Sequence, residues 1–252
     1  MTIGQAKGAA EALAGLIRDA NSVVALTGAG ISVPSGIPDF RSPGKGLWEK
    51  VDPMEVAHID AFHRDTKRFW QFYRPRFADL GGKEPNRAHK ILAEFEFAGN
   101  LDAVITQNID RLHSKAGSER VIEVHGSIAT SSCTSCSTTY PLENVGELFD
   151  SDGVATCACC MGKVKPDVVL FGELLPEEPM REAQELAATA DLLLCIGSSL
   201  EVYPVAGLPE LTLASGGKVA IITQGPTPYD NDAVVKLDGD VVAELEAVAA
   251  AL

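Results

Sequence analysis

Apolar positions along the chain fall into two alternating signatures. Short unbroken runs at Val23–Thr27, Ala103–Thr106, Val121–Val124, Val168–Leu170, Leu192–Ile196, Val219–Thr223 and Val234–Leu237 read as strands. They lack period-two alternation, which marks strands covered on both faces. Helical spacing lies between them, at Gln5–Ala20, Thr66–Leu80, Asn86–Ala98, Glu178–Ala190 and Pro204–Ala214. An amphipathic helix over Asp240–Leu252 closes the chain, and Asn86 after Pro85 is placed to cap the helix it opens. Strands separated by helices predict an α/β fold around a parallel sheet.

Ligands of such sheets bind beyond the carboxyl ends of the strands. That rule selects Gly28–Gly30, Gln107–Asp110, His125–Ser127 and Gly197–Ser199, where apolar runs give way to glycine and polar residues. The first tip begins like a phosphate-binding turn. Val33 then stands where a third glycine belongs, and Pro34, Gly36 and Pro38 predict a long stiffened loop carrying Asp39, Phe40 and Arg41. Gln107, Asn108 and Asp110 place two amides and a carboxylate after one strand, suited to ribose hydroxyls or a carboxamide, or to capping a helix. His125 follows another strand directly, with Gly126 allowing a ligand close, and is positioned as a base near neutral pH. His113 reads as a packing or hydrogen-bonding residue, and His58, His63 and His89 as structural or solvent-facing residues away from the strand tips. Main chain around Val169–Glu173 offers an edge for an extended peptide, or an ordinary loop.

Composition narrows the class. The 252 residues allow one large core with a small second module, and 46% apolar content marks a globular chain. No stretch is long and apolar enough to span a bilayer, and Glu11, Arg18 and Asp19 break any signal-peptide pattern, so the expected address is cytoplasmic. A net charge of −14 disfavours nucleic acid and would steer a basic peptide inward, though it also serves solubility alone.

Cys133-x-x-Cys136 and Cys157-x-x-Cys160, twenty residues apart, have the spacing of two zinc knuckles. Four thiolates leave no open position for a substrate, so the expected ion is structural. The competing reading is disulfides or redox thiols. Cys159 is a spare that could replace Cys157 or Cys160, and Cys195 reads as a small buried hydrophobe.

Taken in order, Gly28-Ala29-Gly30-Ile31-Ser32, Ser35–Arg41, Thr106–His113, His125-Gly126-Ser127, the paired knuckles, Phe171-Gly172-Glu173 and Gly197-Ser198-Ser199-Leu200 resemble the sirtuins, NAD-dependent protein lysine deacylases, from about residue 15 to the C-terminus. The resemblance implies a single catalytic domain. Its large Rossmann-like part would comprise about 1–40, 86–126 and 166–252, and its smaller part a helical insertion at about 41–85 and a zinc module at about 127–165. NAD and an acyl-lysine protein or peptide would meet between them. It implies His125, Asn108 and Asp110 as catalytic residues. NAD contacts would come from Gly28, Ala29, Gly30, Asp39, Phe40, Arg41, Trp48, Gln107, Asn108, Ile109, Asp110, Gly197, Ser198, Ser199, Thr223, Gln224, Asp240 and Val241. Ile31–Trp48 would be a flap over the cofactor, with Gly28 and Gly30 letting main-chain N–H groups approach the diphosphate. Val169, Phe171, Gly172 and Glu173 would hold the peptide.

Two features depart from the common family pattern. Thr223 stands where many sirtuins place Asn against the adenine ribose. Tyr73 and Arg76, with Ala57, resemble members acting on succinyl- and malonyl-lysine, since Arg76 would pair with an acyl carboxylate. Other fates of bound NAD stay open at this level: hydride transfer, mono-ADP-ribosylation of a protein, or sensing without chemistry.

Overall fold

The computed structural model describes residues 3–39 and 51–252; Phe40, Arg41 and Trp48 lie outside the described residues. From the N-terminus, α1 (Ile3–Asp19) leads to β1 (Val23–Thr27) and a short 3-10 helix, Ala29–Ser35. Three helices follow, α2 (Pro53–Val56), α3 (Ile59–Arg64) and α4 (Thr66–Gly81). Then come α5 (Arg87–Phe97), β2 (Ala103–Thr106), α6 (Leu112–Ala116) and β3 (Val121–Glu123). A second excursion holds β4 (Gly126–Cys133), β5 (Thr139–Pro141), α7 (Leu142–Val145) and β6 (Val164–Val168). The chain ends with α8 (Glu177–Thr189), β7 (Leu192–Ile196), α9 (Leu208–Ala214), β8 (Lys218–Ile222), β9 (Val235–Leu237) and α10 (Val241–Ala251).

The main sheet has the order β3-β2-β1-β7-β8-β9, with every pair parallel. This is the doubly wound Rossmann arrangement, and its strand order reverses between β1 and β7. Successive side chains alternate between two cores. Val23, Ala25, Val104 and Leu194 join α1, α5 and α10 on one face. Val24, Leu26, Ile105 and Leu193 join Met180, Ala183 and Ala187 of α8 on the other. Cys195 is fully buried in that second core, where burial pushes its thiol pKa up, as a small hydrophobe requires.

A third core joins the two excursions. Phe62, Phe69, Trp70 and Phe77 from α3 and α4 pack on Ile128, Cys133, Val164 and Val168. Phe69 meets Phe62 and Trp70 edge-on, at centroid distances of 5.0 and 5.6 Å, the arrangement aromatic quadrupoles favour. The Trp70 indole N–H donates to the Val164 carbonyl at 3.2 Å, so a helix of one excursion caps a strand of the other. Lys115 of α6 ties the return crossover to the main body by donating to the carbonyls of Gly81 and Lys83, at 2.9 and 2.8 Å.

Two expectations change. The strand expected at Val168–Leu170 instead runs Val164–Val168 and pairs antiparallel with β4, outside the main sheet. Its alternating burial, through Lys165 and Asp167, has the signature of a one-sided sheet, and Pro166 hides the run. The stiffened loop expected after Gly30 is helical over Ala29–Ser35, with Pro34 inside it, and stops at Gly36 in the left-handed region.

Candidate active site and metal centre

At the switch point the tip of β1 lies against the tip of β7, backbone to backbone. Gly28 N donates to Ile196 O at 3.0 Å and Gly30 N to Gly197 O at 2.8 Å. A Cβ on Gly30 would stand 2.7 Å from Gly197 O, and one on Gly197 would stand 2.3 Å from Ile31 N. The N–H groups of Gly28 and Gly30 are thus already committed to protein carbonyls. Both glycines are needed for this strand-to-strand approach.

The 3-10 helix carries Ser32 under the β2 tip. Ser32 Oγ donates to Asp110 Oδ2 at 2.7 Å and accepts from Asn108 Nδ2 at 3.1 Å. Asn108 Nδ2 also donates to Gly28 O at 3.1 Å, which leaves Oδ1 for a further partner. Asp110 Oδ1 accepts from Leu112 N and starts α6. Burial raises the Asp110 pKa against the pull of those hydrogen bonds. Across the switch, Gln107 Nε2 donates to Ser198 Oγ at 2.9 Å. The Ile109 carbonyl accepts from Ile128 N, linking this loop to β4.

His125 is half-buried just past β3. Its Nδ1 lies 3.0 Å from the Gln107 carbonyl, which can only accept, so Nδ1 carries the proton and Nε2 presents its lone pair. Burial lowers the His125 pKa, which keeps the ring neutral at pH 7. Gly126 has φ 72°, and a Cβ there would stand 2.1 Å from Asp167 O, so β4 can leave the His125 turn only through glycine.

Sequence reasoning missed Ser32 as a site residue and set His89 aside. His89 is fully buried; its Nε2 lies 3.4 Å from Ser32 Oγ, and its ring meets His113 edge-on at 4.8 Å. The available signal was Asn86. Its Oδ1 caps α5, while its Nδ2 donates to Ile31 O and Ser35 Oγ, which fixes the next helical turn under the 3-10 helix.

On the peptide side, Phe171 spends both backbone groups on the helical excursion: its N–H donates to Ala57 O and its carbonyl accepts from Ile59 N. Val169 N donates to His125 O. The edge expected over Val169–Glu173 is therefore narrower, with Val169 O and Gly172 as its remaining main chain. Glu173 turns into its own loop, accepting from Leu170 N at 2.8 Å and pairing with Lys165 Nζ at 3.0 Å. His58 stands directly behind Gly172. Tyr73 is stacked on Phe77 at 5.1 Å, with its phenol pKa raised by burial. The Arg76 guanidinium lies 3.6 Å over the Phe72 ring and donates to the Phe72 carbonyl, close enough to Tyr73 for its charge to oppose the rise in the phenol pKa.

At the β8 and β9 tips, Thr223 N donates to Leu237 O. Asp240 caps α10 through Val242 N and Ala243 N, with Val241 the first helical residue. Gln224 and Ser199 are exposed, and Asp39 and Thr223 are half-buried.

The Sγ atoms of Cys133, Cys136, Cys157 and Cys160 all lie within 4.8 Å of one another. The closest pairs are at 3.4, 3.5 and 3.6 Å. Zn–S bonds of about 2.3 Å put tetrahedral sulfurs about 3.8 Å apart, so the quartet fits a closed zinc site with little adjustment. The knuckles match. Ser135 N points to Cys133 Sγ and Cys159 N to Cys157 Sγ, each at 3.4 Å. Ser137 N and Met161 N close the turns on Cys133 O and Cys157 O, both residues with positive φ. The Tyr140 hydroxyl, 3.1 Å from Cys157 Sγ, lowers that thiol to about 5. None of the six cysteines is in a disulfide, and Cys159 is not in the quartet, so it replaces neither knuckle ligand here.

The fold and site define a doubly wound, dinucleotide-type α/β protein with a four-cysteine structural module. The Sir2 family pattern matches residues 28–204, and the chain belongs to the Sir2 family. The chain is 44% identical to the NAD-dependent protein deacetylase of Thermotoga maritima over 90% of its own length and 92% of that protein. It is 48% identical to the NAD-dependent protein deacetylase of Sulfurisphaera tokodaii, covering 88% of each. A solved Sir2 mutant bound to a deacetylated peptide and 3′-O-acetyl-ADP-ribose superposes with a TM-score of 0.90 at 42% identity, over 94% of this chain and 96% of that one. No helix among the described residues is long and apolar enough to cross a membrane.

Two outcomes follow. Metal analysis returns one zinc per chain, and chelation melts the β4–β6 module while the parallel sheet keeps its far-ultraviolet signal; a metal-free chain with an unaltered melting curve would contradict this. Acid weakens the fold at the buried imidazoles. Burial lowers His89 from 6.5 to about 4 and His113 from 6.5 to about 3, so these native rings bind protons later than unfolded ones. Their stability contribution is complete above 6.5 and is lost as pH falls toward those values, which urea midpoints measured from pH 7 to 4 would record.

Proposed function

We propose that this chain is an NAD-dependent protein lysine deacylase that moves a short, uncharged acyl group from lysine to ADP-ribose and frees nicotinamide. The observation that carries the mechanism is the hydrogen bond from His125 Nδ1 to the Gln107 carbonyl, which presents Nε2 as a base beside the strand tips. When bound, NAD supplies an electrophilic ribose carbon with nicotinamide as its leaving group. The chain's own part is positioning and one proton. Asn108 Oδ1 and the Ile109–Asp110 segment receive the nicotinamide carboxamide, and Val169 O accepts the substrate lysine N–H. With NAD and acyl-lysine bound, the acyl oxygen would form the bond to the ribose carbon that nicotinamide leaves, His125 Nε2 would take a proton from a ribose hydroxyl so that its oxygen could attack the acyl carbon, and water would complete release of the lysine amine. General-base help of this kind is worth roughly 3–5 kcal/mol.

The relatives named as deacetylases, and the acetylated product in the solved Sir2 mutant, support an acetyl-sized substrate. A surplus of 14 negative charges favours lysine-rich segments as partners. We place the chemistry in the cytoplasm, whose reducing poise suits a quartet of free thiolates.

His125→Ala retains fold and NAD affinity and loses about a hundredfold or more in deacylation, measured as nicotinamide release from an acetyl-lysine peptide. The parent's kcat/KM falls on the acid side only below the ordinary histidine value of 6.5, because burial lowers His125 and its base form persists to lower pH. Near-normal turnover by the alanine variant would end the assignment. Arg76→Met leaves acetyl-lysine turnover unchanged, while succinyl-lysine remains a poor substrate for both proteins; selective loss of desuccinylation would show an acyl-carboxylate contact instead.

A further inference from the structure

Thr27 and Thr106 are unusual for their position. They end adjacent central strands and are 0% and 2% exposed, among residues that are otherwise Val, Ile, Leu and Ala. Valine would fill either space, and an unpaired buried hydroxyl is destabilising. Both hydroxyls are paired, and the pairs form a chain. His113 Nε2 lies 2.9 Å from Thr27 Oγ1, Thr27 Oγ1 donates to Thr106 Oγ1 at 2.8 Å, and Asn108 N donates to Thr106 Oγ1 at 3.1 Å.

The direction of this chain is fixed. Thr27 has one hydroxyl proton and gives it to Thr106, so the bond from His113 requires the proton on Nε2. His113 is 2% exposed and neutral, its Nδ1 has no partner, and its ring is steadied by the edge contact with His89. The chain runs from α6 through β1 to β2 and ends on the main-chain N–H of Asn108. From that point the Asn108 side chain reaches Gly28 O and Ser32 Oγ, and Ser32 in turn holds Asp110.

We propose that His113 is a positioning residue for the reaction: acting through the Thr27 and Thr106 hydroxyls, it fixes the Asn108 main chain and so sets where the Asn108 and Asp110 side chains stand. This deepens the deacylase reading and rests on it. Burial keeps His113 away from any ligand, so its action is indirect.

The discriminating pair is Thr27→Val, which keeps the shape and removes the hydroxyl, and Thr27→Ser, which returns the hydroxyl. Thr27→Val is expected to lower kcat/KM for NAD and the rate of nicotinamide exchange by about tenfold or more, with the KM for acetyl-lysine peptide unmoved. Thr27→Ser recovers most of that loss. Hydrogen exchange at the Asn108 amide, followed by NMR, gives a readout without turnover: fast in Thr27→Val, slow in the parent and in Thr27→Ser. Thr106→Val and Thr106→Ser make the same comparison from the other end should Thr27→Val fail to fold. Two results would overturn the proposal: Thr27→Val matching the parent in exchange and rate, or Thr27→Ser as impaired as Thr27→Val. A parent that releases no nicotinamide with acetyl-lysine peptide would sink the deacylase reading, and the Asn108 amide would still decide this one.

Discussion

The contact on which the rest leans is backbone against backbone, where the tips of β1 and β7 meet. Gly28, Gly30 and Gly197 have no Cβ, and each substitution would drive an atom to within about 3 Å of the opposing main chain. Because the strands close this tightly, the chain after β1 must turn at once into the 3-10 helix. That turn delivers Ser32 beneath Asn108 and Asp110. The tight junction makes these glycines the hinge of a polar floor.

That floor is polar, and its burial works against charge. Burial lowers His125, His89 and His113 and raises Asp110, each shift disfavouring the charged form. Hydrogen bonds decide which atoms remain open. Asn108 spends its amide protons on Gly28 and Ser32 and keeps its oxygen; His125 spends Nδ1 on Gln107 and keeps Nε2. Preorganisation here means that each donor is satisfied by protein and one acceptor on each residue is left over.

Features set by local pattern were legible in the sequence. The cysteine quartet, the central strands and His125 at a strand end each depend on residues a few places apart. What was not legible depends on distant pairings. His89 reads as an unremarkable helical residue until Asn86 is seen clamping α5 to the 3-10 helix, 51 and 55 positions upstream. Glu173 looks free to meet a substrate until Lys165 and Leu170 N claim it. The alternation of the Val164–Val168 strand shows only once one face of β6 is known to lie on Trp70 and its neighbours. Nothing near Thr27 or Thr106 in sequence announces that their hydroxyls meet.

The distribution of backbone strain supports the same division between scaffold and site. Among the described residues, the non-glycine positions with positive φ are Arg111, Ser137, Met161 and Leu200. Such geometry costs of order 1 kcal/mol each and persists only where the surroundings enforce it. Ser137 and Met161 follow the second cysteine of each knuckle, where the turn must double back so that both sulfurs face one point. Arg111 follows Asp110, where the chain must leave the carboxylate in place and begin α6 at once. Leu200 follows Ser198 and Ser199, and its N–H returns to Ser198 Oγ, holding the hydroxyl that Gln107 grips from across the switch. None of these four lies in the regular sheet or its covering helices. The fold accepts strained turns where a metal quartet or a cleft residue must be aimed.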